Sequence, residues 1–512
     1  MAGTGGDQSS SWQIGSSWWC GREHADRSGP ANVAPMSLLP LLEHPADAAA
    51  VSFPDGSLSY RALAAAAREL RTRLPSEGPL ALWATAGSAT VIGLLAGLQA
   101  GMHVVPLNPK SGPTELQHIL QTAHPTALLA DAATTVPGLS TISPARNQPA
   151  PQGALQEDDQ SAAGGLIIFT SGTTGPPKGV VLGATAMATN LDALARAWEW
   201  TARDVVVHAL PLFHVHGLVI ATLGALRRGG EVRHLGTFEP GEVALALAAD
   251  ATMLFAVPTM YHRLADAARA DPVVASGLRG ARLLVSGSAA LPVFEHARIE
   301  ALCGQRIVER YGLTETLMIA STRADGERRA GHVGRALDGV ELRVVGEDGA
   351  EVARDGAAIG DVLVRGPSLF DGYLDQPQAT AQAFRDGWFV TGDLGVLAPD
   401  GSLRLVGRRG TDLIKSGGYR IGAGEVESAL LEHPAVAEAA VLGLRDDDLG
   451  ERIVAWVVRR DGAEVDERTL IEHVAVALTP HKRPREVRFV ETLPRNALGK
   501  VQKRLLAPAA GR

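Results

Sequence analysis

Thr170-Ser171-Gly172-Thr173-Thr174-Gly175-Pro176-Pro177-Lys178-Gly179 is the stretch that decides how the rest of the chain is read. It follows an apolar run, Leu166-Ile167-Ile168-Phe169, that predicts a buried strand, and an Ala/Leu-rich helical pattern begins near Ala184. Within ten residues stand four hydroxyls, three glycines and one lysine. Small residues let backbone N–H groups approach an anion, hydroxyls donate, and Lys178 adds positive charge, so this is chemistry for gripping polyphosphate. The order is not that of a Walker A loop, which has glycine before its lysine and Ser/Thr after it; here Pro177 precedes Lys178 and Gly179 follows. An ordinary Gly/Pro turn is the plain alternative, and it leaves the density of donors unexplained.

At 512 residues the chain exceeds the roughly 250–300 at which a single core stops growing, so more than one domain is expected. Apolar residues at 46% and charged residues at 20% fit a soluble globular profile. A net charge of −8 argues against nucleic acid as the main partner. No apolar run approaches the roughly 20 residues that span a bilayer, so no membrane partner is expected. Two cysteines, Cys20 and Cys303, give no disulfide framework and point to a reducing cytoplasm. Residues 1–35 are rich in Ser, Gly and charge and lack the apolar core of a secretory signal; they read as a disordered extension, or as sequence upstream of a start at Met36.

Between 36 and 146 helical and strand patterns alternate: a helix over 60–74, a strand over 80–84, a helix over 89–100 and a strand over 102–107. Such alternation predicts βαβ units and parallel sheet. Residues 147–163, rich in Pro, Gln and Asp, read as a loop before a second alternating block over 165–334. Short strands with Gly/Asp turns over 340–365 and 387–406 predict a small β-rich subdomain, and 424–512 a compact α+β unit.

Six further segments carry chemistry. Pro211-Leu212-Phe213-His214-Val215-His216-Gly217 clusters aromatics and histidines after a strand, the two histidines sharing a face if the segment is extended. Ser286-Gly287-Ser288-Ala289 offers small residues where a flat base can lie close to backbone. Glu309-Arg310-Tyr311-Gly312-Leu313-Thr314-Glu315 ends another predicted strand, and Thr391-Gly392-Asp393 sets a carboxylate at a tight turn. Gly407-Arg408 leads to Asp412-Leu413-Ile414-Lys415-Ser416-Gly417-Gly418-Tyr419, and Pro494-Arg495-Asn496-Ala497-Leu498-Gly499-Lys500 stands near the end.

In this order and spacing the set resembles the adenylate-forming superfamily of acyl-CoA synthetases, luciferases and peptide-synthetase adenylation domains, over roughly 36–506. Within it the chain is most similar to malonyl-CoA synthetases of the actinobacterial type. That similarity rests on Val105-Pro106-Leu107-Asn108-Pro109-Lys110-Ser111-Gly112, Phe213-His214-Val215-His216-Gly217, Val257-Pro258-Thr259-Met260-Tyr261-His262-Arg263 and Glu309-Arg310-Tyr311-Gly312. The resemblance implies an α/β fold: a large adenylation domain over 36–409 of α/β subdomains plus a small β-rich subdomain, a hinge over 410–412, and a small mobile α+β domain over 413–512. It implies a carboxylate attacking the α-phosphate of ATP, with Mg2+ as cofactor, and then transfer of the acyl group to CoA with release of AMP; the chain is expected as a monomer or homodimer.

The resemblance also assigns roles. Thr170, Ser171, Gly172, Thr173, Thr174 and Lys178 would cradle the triphosphate. Thr314 would bond the α-phosphate and Glu315 would hold Mg2+. Gly287, Ser288, Ala289, Glu309, Arg310, Tyr311 and Gly312 would enclose the nucleotide, and Asp393 would accept from the ribose hydroxyls. Lys500 would bridge carboxylate and α-phosphate in the transition state. Lys415, Ser416, Gly417, Gly418 and Tyr419 would form the thioester face. Four residues, one more than the family usually has, separate Arg408 from Leu413, so either Arg408 or Arg409 is the ribose arginine.

A dicarboxylate needs a fixed cation for its second carboxylate, a task for the bidentate fork of arginine, and Arg263 and Arg310 are the candidates; a surface or inter-element ion pair is the alternative for each, and Arg282 is weaker. His214, Val215 and Leu313 are expected at the acyl pocket, with too little bulk to exclude a methyl branch. Malonate is the expected acid, methylmalonate a second; another small acid, loading of a carrier protein, or a nucleotide-binding module without catalysis are the rival readings.

Overall fold

The computed structural model describes residues 37–131, 133–144, 164–170, 176–410, 412–495 and 501–506. The 1–35 extension and all of 147–163 lie outside the described residues, as do 171–175 and Lys500.

One nine-stranded sheet has the order Arg335–Ala336, Leu317–Ser321, Val308–Leu313, Leu283–Ser286, Met253–Ala256, Val205–His208, Glu231–His234, Ala49–Phe53, Gly56–Ser59. Its inner strands run parallel. Met253–Ala256 and Leu283–Ser286 are buried at every position, as expected of short apolar strands covered on both faces. Helices Pro240–Ala249, Pro258–Ala270, Pro272–Gly280 and Val293–Cys303 supply one cover, packing Val243, Leu264, Leu278 and Ile299 against Leu254 and Leu284. Trp198, Trp200 and Phe255 meet with ring centroids 5.5–5.9 Å apart.

The seven-stranded sheet has the order Gly372–Tyr373, Lys178–Gly183, Gly165–Thr170, His103–Leu107, Leu80–Trp83, Ala127–Leu129, Thr141–Ile142. The alternating elements expected over 60–107 are present as Tyr60–Arg71, Leu80–Trp83, Ser88–Gln99 and His103–Leu107, the first helix capped by the Ser59 hydroxyl on the Ala62 N–H at 3.2 Å. One element was not foreseen. The phosphate loop leads into a strand, Lys178–Gly183, that pairs antiparallel with Gly165–Thr170 from Gly165↔Gly183 to Thr170↔Lys178. Val180, Val181 and Leu182 favour this pleated path, and the helix starts only at Ala184.

Glu341–Val345, Gly360–Arg365, Trp388–Leu397, Phe384–Arg385 and Leu403–Arg408 form an antiparallel five-stranded sheet, the β-rich unit read from the sequence. The next strand, Leu413–Ser416, belongs to a different sheet, with Tyr419–Gly422, Gly450–Arg459, Val436–Asp446 and Glu486–Phe489, covered by helices Ala423–Leu431 and Glu467–Ala477. Sheet membership therefore changes across 409–412.

A buried amide fastens the helix that follows Lys178–Gly183 to the nine-stranded sheet. Asn190, on helix Ala184–Trp198, donates from Nδ2 to the Met318 carbonyl at 2.8 Å and accepts the Met318 N–H at 3.1 Å. Asn190→Ala strands both backbone groups, so we expect a loss of about 3 kcal/mol in unfolding free energy, measured by denaturant titration.

Candidate active site

Loops leaving the carboxyl ends of the parallel strands converge on one edge of the nine-stranded sheet, where open α/β sheets bind ligands. The register Ser286↔Glu309 sets Gly287 and Ser288 beside Arg310 and Tyr311. A Cβ on Gly287 would stand 2.1 Å from Arg310 Cζ, so only glycine lets the guanidinium cross there. Arg310 is 6% exposed, and its Nε and Nη2 have no hydrogen-bond partner among the described residues. Burial lowers its pKa to about 10, which leaves it charged at neutral pH. A buried cation with unpaired donors is costly unless an anion completes it.

His216 stands close enough to it to feel its charge, and His214 lies two residues before His216. His216 Nδ1 lies 3.2 Å from the Ser288 hydroxyl, and Ser288 adopts φ +71°, a left-handed conformation uncommon outside glycine. His214 packs its ring 4.5 Å from Phe213. Neither His214 Nε2 nor His216 Nε2 has a hydrogen-bond partner among the described residues. Burial pushes the His214 pKa down to about 4, and burial with the Arg310 charge holds His216 well below the ordinary value. The segment is not extended: a π-helix runs His216–Leu223, and the Leu218 N–H donates back to the His214 carbonyl at 2.9 Å. The two histidines therefore do not share a strand face. Val215 is buried, and Leu313 half-buried at the end of its strand.

On the side of the β-rich sheet, Asp393 accepts from the Tyr311 hydroxyl at 2.5 Å and pairs with Arg408 Nε at 2.9 Å. Arg408 also donates to the Thr391 carbonyl at 2.9 Å. Arg409 instead pairs with Asp361, so geometry separates the two arginines that the sequence left open. Glu309 is engaged as a support: its Oε1 accepts from His296 at 2.8 Å and from the Gly331 N–H at 3.1 Å. Gly312 sits where a Cβ would meet the Leu317 carbonyl at 2.0 Å, and a register shift falls between Tyr311 and Gly312.

Tyr373 was missed in the sequence. Its hydroxyl donates to Glu315 Oε1 at 2.9 Å, and Lys178 Nζ lies 4.8 Å from its ring centroid. It thus links the lysine of the phosphate loop to the carboxylate beside Thr314, both half-buried. The only signal in the sequence was an aromatic next to Gly372, and nothing there indicated that Gly372–Tyr373 would pair with Lys178–Gly183.

Arg263 lies outside the buried cluster. It is more than half exposed, 3.6 Å from Glu239 and over the Phe238 ring at 4.8 Å, on the helix that follows Met253–Ala256. Arg282 pairs with Asp204 at 2.8 Å. In the last sheet Gly417 and Gly418, at φ +56° and +81°, make the two-residue turn that pairs Ser416 with Tyr419, and the exposed Tyr419 ring stacks on His481 at 4.1 Å. The Lys415 N–H donates to Glu451 at 2.6 Å.

A family model for AMP-binding enzymes matches residues 41–374, and one for the AMP-binding enzyme C-terminal domain matches 425–500. The chain belongs to the AMP-binding enzyme family. It therefore has the adenylate-forming fold expected from its motifs. Among members, a malonate–CoA ligase of Arabidopsis thaliana is 36% identical over 462 residues, spanning 81% of this chain and 75% of that one. A malonyl-CoA ligase solved as a ternary product complex with methylmalonyl-CoA and AMP bound is 54% identical, covering 88% of this chain and 97% of that one at a TM-score of 0.68. ATP-bound MatB from Rhodopseudomonas palustris is 34% identical and reaches a TM-score of 0.82, over 92% of this chain and 97% of that one. Among the described residues no helix is long and apolar enough to cross a membrane.

The depressed His214 pKa has a consequence for stability. Unfolded histidine takes up a proton near pH 6.5, the folded one only near 4, so folded stability falls as pH drops through that window. His214→Gln removes this linkage: its melting temperature should fall less than the parent's between pH 6.5 and 4, as read by calorimetry.

Proposed function

We propose that this enzyme activates malonate with ATP and passes the malonyl group to CoA, giving malonyl-CoA, AMP and pyrophosphate. The buried, anion-seeking Arg310 is the observation that carries the choice of acid. A fatty-acyl pocket has no use for a desolvated guanidinium, whereas a dicarboxylate has a second carboxylate to pair with it. Arg263, on an exposed helix turn at the same end of the sheet, is proposed as a second arm that leaves Glu239 for the substrate. His214 and His216, held neutral, offer hydrogen bonds without adding charge beside Arg310. Ser288 and His216 would set the orientation of the acid, Val215 and Leu313 its α-carbon. Relatives named for malonate and a relative crystallised with methylmalonyl-CoA support both acids, with methylmalonate as the second substrate.

In the first step the reacting carboxylate attacks the α-phosphate, the bond to the bridging oxygen of pyrophosphate breaks, and no proton needs to move. Such chemistry asks for positioning and charge neutralisation. Thr170, Ser171, Gly172, Thr173, Thr174 and Lys178 are proposed to hold the triphosphate, Thr314 the α-phosphate, and Lys500 the developing charge. Asp393, set by Tyr311 and Arg408, is proposed to accept from the ribose, with Gly287, Ser288, Ala289 and the backbone at Tyr311 and Gly312 around the base. The Glu315 carboxylate, fixed by Tyr373, fits one ligand of a Mg2+ that would neutralise phosphate charge. In the second step the CoA thiol attacks the acyl-AMP carbonyl and AMP leaves, with 415–419 as the proposed thioester face and 410–412 as the hinge between the two arrangements. The cysteine count supports a reducing cytoplasm as the setting.

Three measurements test this. A pyrophosphate-release panel of short mono- and dicarboxylic acids should show malonate first and methylmalonate second; turnover of a fatty or aromatic acid without malonate would exclude the reading. Arg310→Met should raise the KM for malonate at least ~100-fold while ATP binding changes little, since a buried charge pair is lost. Lys500→Ala should abolish pyrophosphate exchange with ATP binding kept.

A further inference from the structure

The ammonium of Lys503, three residues beyond Lys500, is buried between two carboxylates. Its Nζ lies 2.7 Å from Asp412 Oδ1 and 2.6 Å from Glu427 Oε1, and its side chain is 15% exposed. Each carboxylate is itself anchored. Glu427 Oε1 accepts the Val441 N–H at 2.7 Å, which fixes it to helix Ala423–Leu431 and strand Val436–Asp446 of the last sheet. Asp412 Oδ2 accepts the Arg408 N–H at 3.0 Å, the Asp412 N–H donates to the Arg408 carbonyl at 2.8 Å, and the Ala423 N–H donates to the Asp412 carbonyl at 2.8 Å. One side chain thus joins the C-terminal segment to the junction between the two sheets.

Both ends of that join bear on chemistry. Arg408 grips Asp393 through its guanidinium, so the backbone that Asp412 clasps is the backbone of the nucleotide-facing arginine. At the other end, Arg495 and Val501 pair as an antiparallel bridge, and the Gln502 N–H donates to the Pro494 carbonyl at 2.7 Å. The described residues on either side of 496–500 are therefore paired with each other, and Lys503 is the next ion-paired residue among those described beyond that pairing. Val501 and Leu506 pack on the Trp456 cluster, but that apolar contact holds the segment to its own sheet and says nothing about the junction.

We infer that Lys503 is a positioning residue for adenylate formation: through Asp412 it registers the paired residues that flank 496–500 against the Arg408–Asp393 pair. A purely structural ammonium would support both half-reactions alike. A registering one supports the half-reaction that needs Lys500 at the α-phosphate and is dispensable once acyl-AMP exists. A displacement of about 1 Å at such a contact is enough for a 100-fold loss of rate.

This inference rests on the two-step function proposed above, and the test separates the two. Pyrophosphate exchange reads the first half-reaction; thioester formation from synthetic malonyl-AMP and CoA reads the second. Lys503→Met should slow exchange about 10- to 100-fold and leave thioester formation within about twofold, while Lys503→Arg, which keeps the charge, restores most of the exchange. Asp412→Asn should give the same split, and the double variant should lose less than the two single losses combined, because the Lys503–Asp412 pair is already gone in each. Asp412→Asn also stands in if Lys503→Met does not fold. Equal slowing of both half-reactions, or no slowing of either, overturns the inference while leaving the function intact. A parent enzyme that exchanges pyrophosphate with no acid of the panel defeats the functional proposal and this inference together.

Discussion

The burial of the Arg310 charge constrains more of this structure than any other contact. A guanidinium with two unpaired donor atoms cannot be accommodated by ordinary packing, and its surroundings show how the chain manages it. Gly287 gives up its Cβ so that the group can cross the neighbouring strand end. Ser288 takes a left-handed backbone and meets His216. The nearby His216 stays neutral, which avoids a second positive charge in the same low-dielectric space. Each of these features is unfavourable or restrictive by itself, and together they leave one net requirement, an anion.

The side that faces the β-rich sheet is organised differently, through polar contacts that pass from one element to the next. Tyr311 and Arg408 hold Asp393, Asp412 clasps the backbone of Arg408, and Lys503 reaches Asp412 from the end of the chain. Tyr373 makes the corresponding connection between Lys178 and Glu315. Asn190 fastens the helix that follows the phosphate hairpin to the strand that follows Glu315. Groups more than 300 positions apart in sequence are held in a common frame by few, mostly buried, polar contacts.

Much of this was legible in the sequence. Alternating apolar patterns predicted the parallel sheets to within a few residues, because short, fully buried strands such as Met253–Ala256 must be apolar throughout. The ordered motifs identified the family, and Gly407-Arg408 pointed to the arginine that meets Asp393. What the sequence did not disclose depends on tertiary pairing. Nothing local in Tyr373 announces that its strand lies against Lys178–Gly183. The histidine segment was read with extended geometry as an option, yet the packing of Leu218 to Leu223 in the sheet cover favours a wide helical turn at His216. Arg263 and Arg310 looked alike as letters and differ in burial, a property set by what lies above them.

The hairpin formed by Gly165–Thr170 and Lys178–Gly183 has an evolutionary consequence. Its ladder is anchored by buried pairs, Leu166↔Leu182 and Ile168↔Val180, far from the tip. Those pairs hold Lys178 opposite Thr170 whatever the intervening letters are, so the frame of the hairpin is set by its strands and the composition of the tip answers to the anion it would grip. A single-residue insertion inside either strand is another matter, since period two turns every following side chain to the opposite face. It would carry Lys178 off the Tyr373 ring and expose the apolar half of the strand at once. Lineages descended from this chain should therefore stay fixed in strand length, and that constraint is written in the pairing, before any ligand is considered.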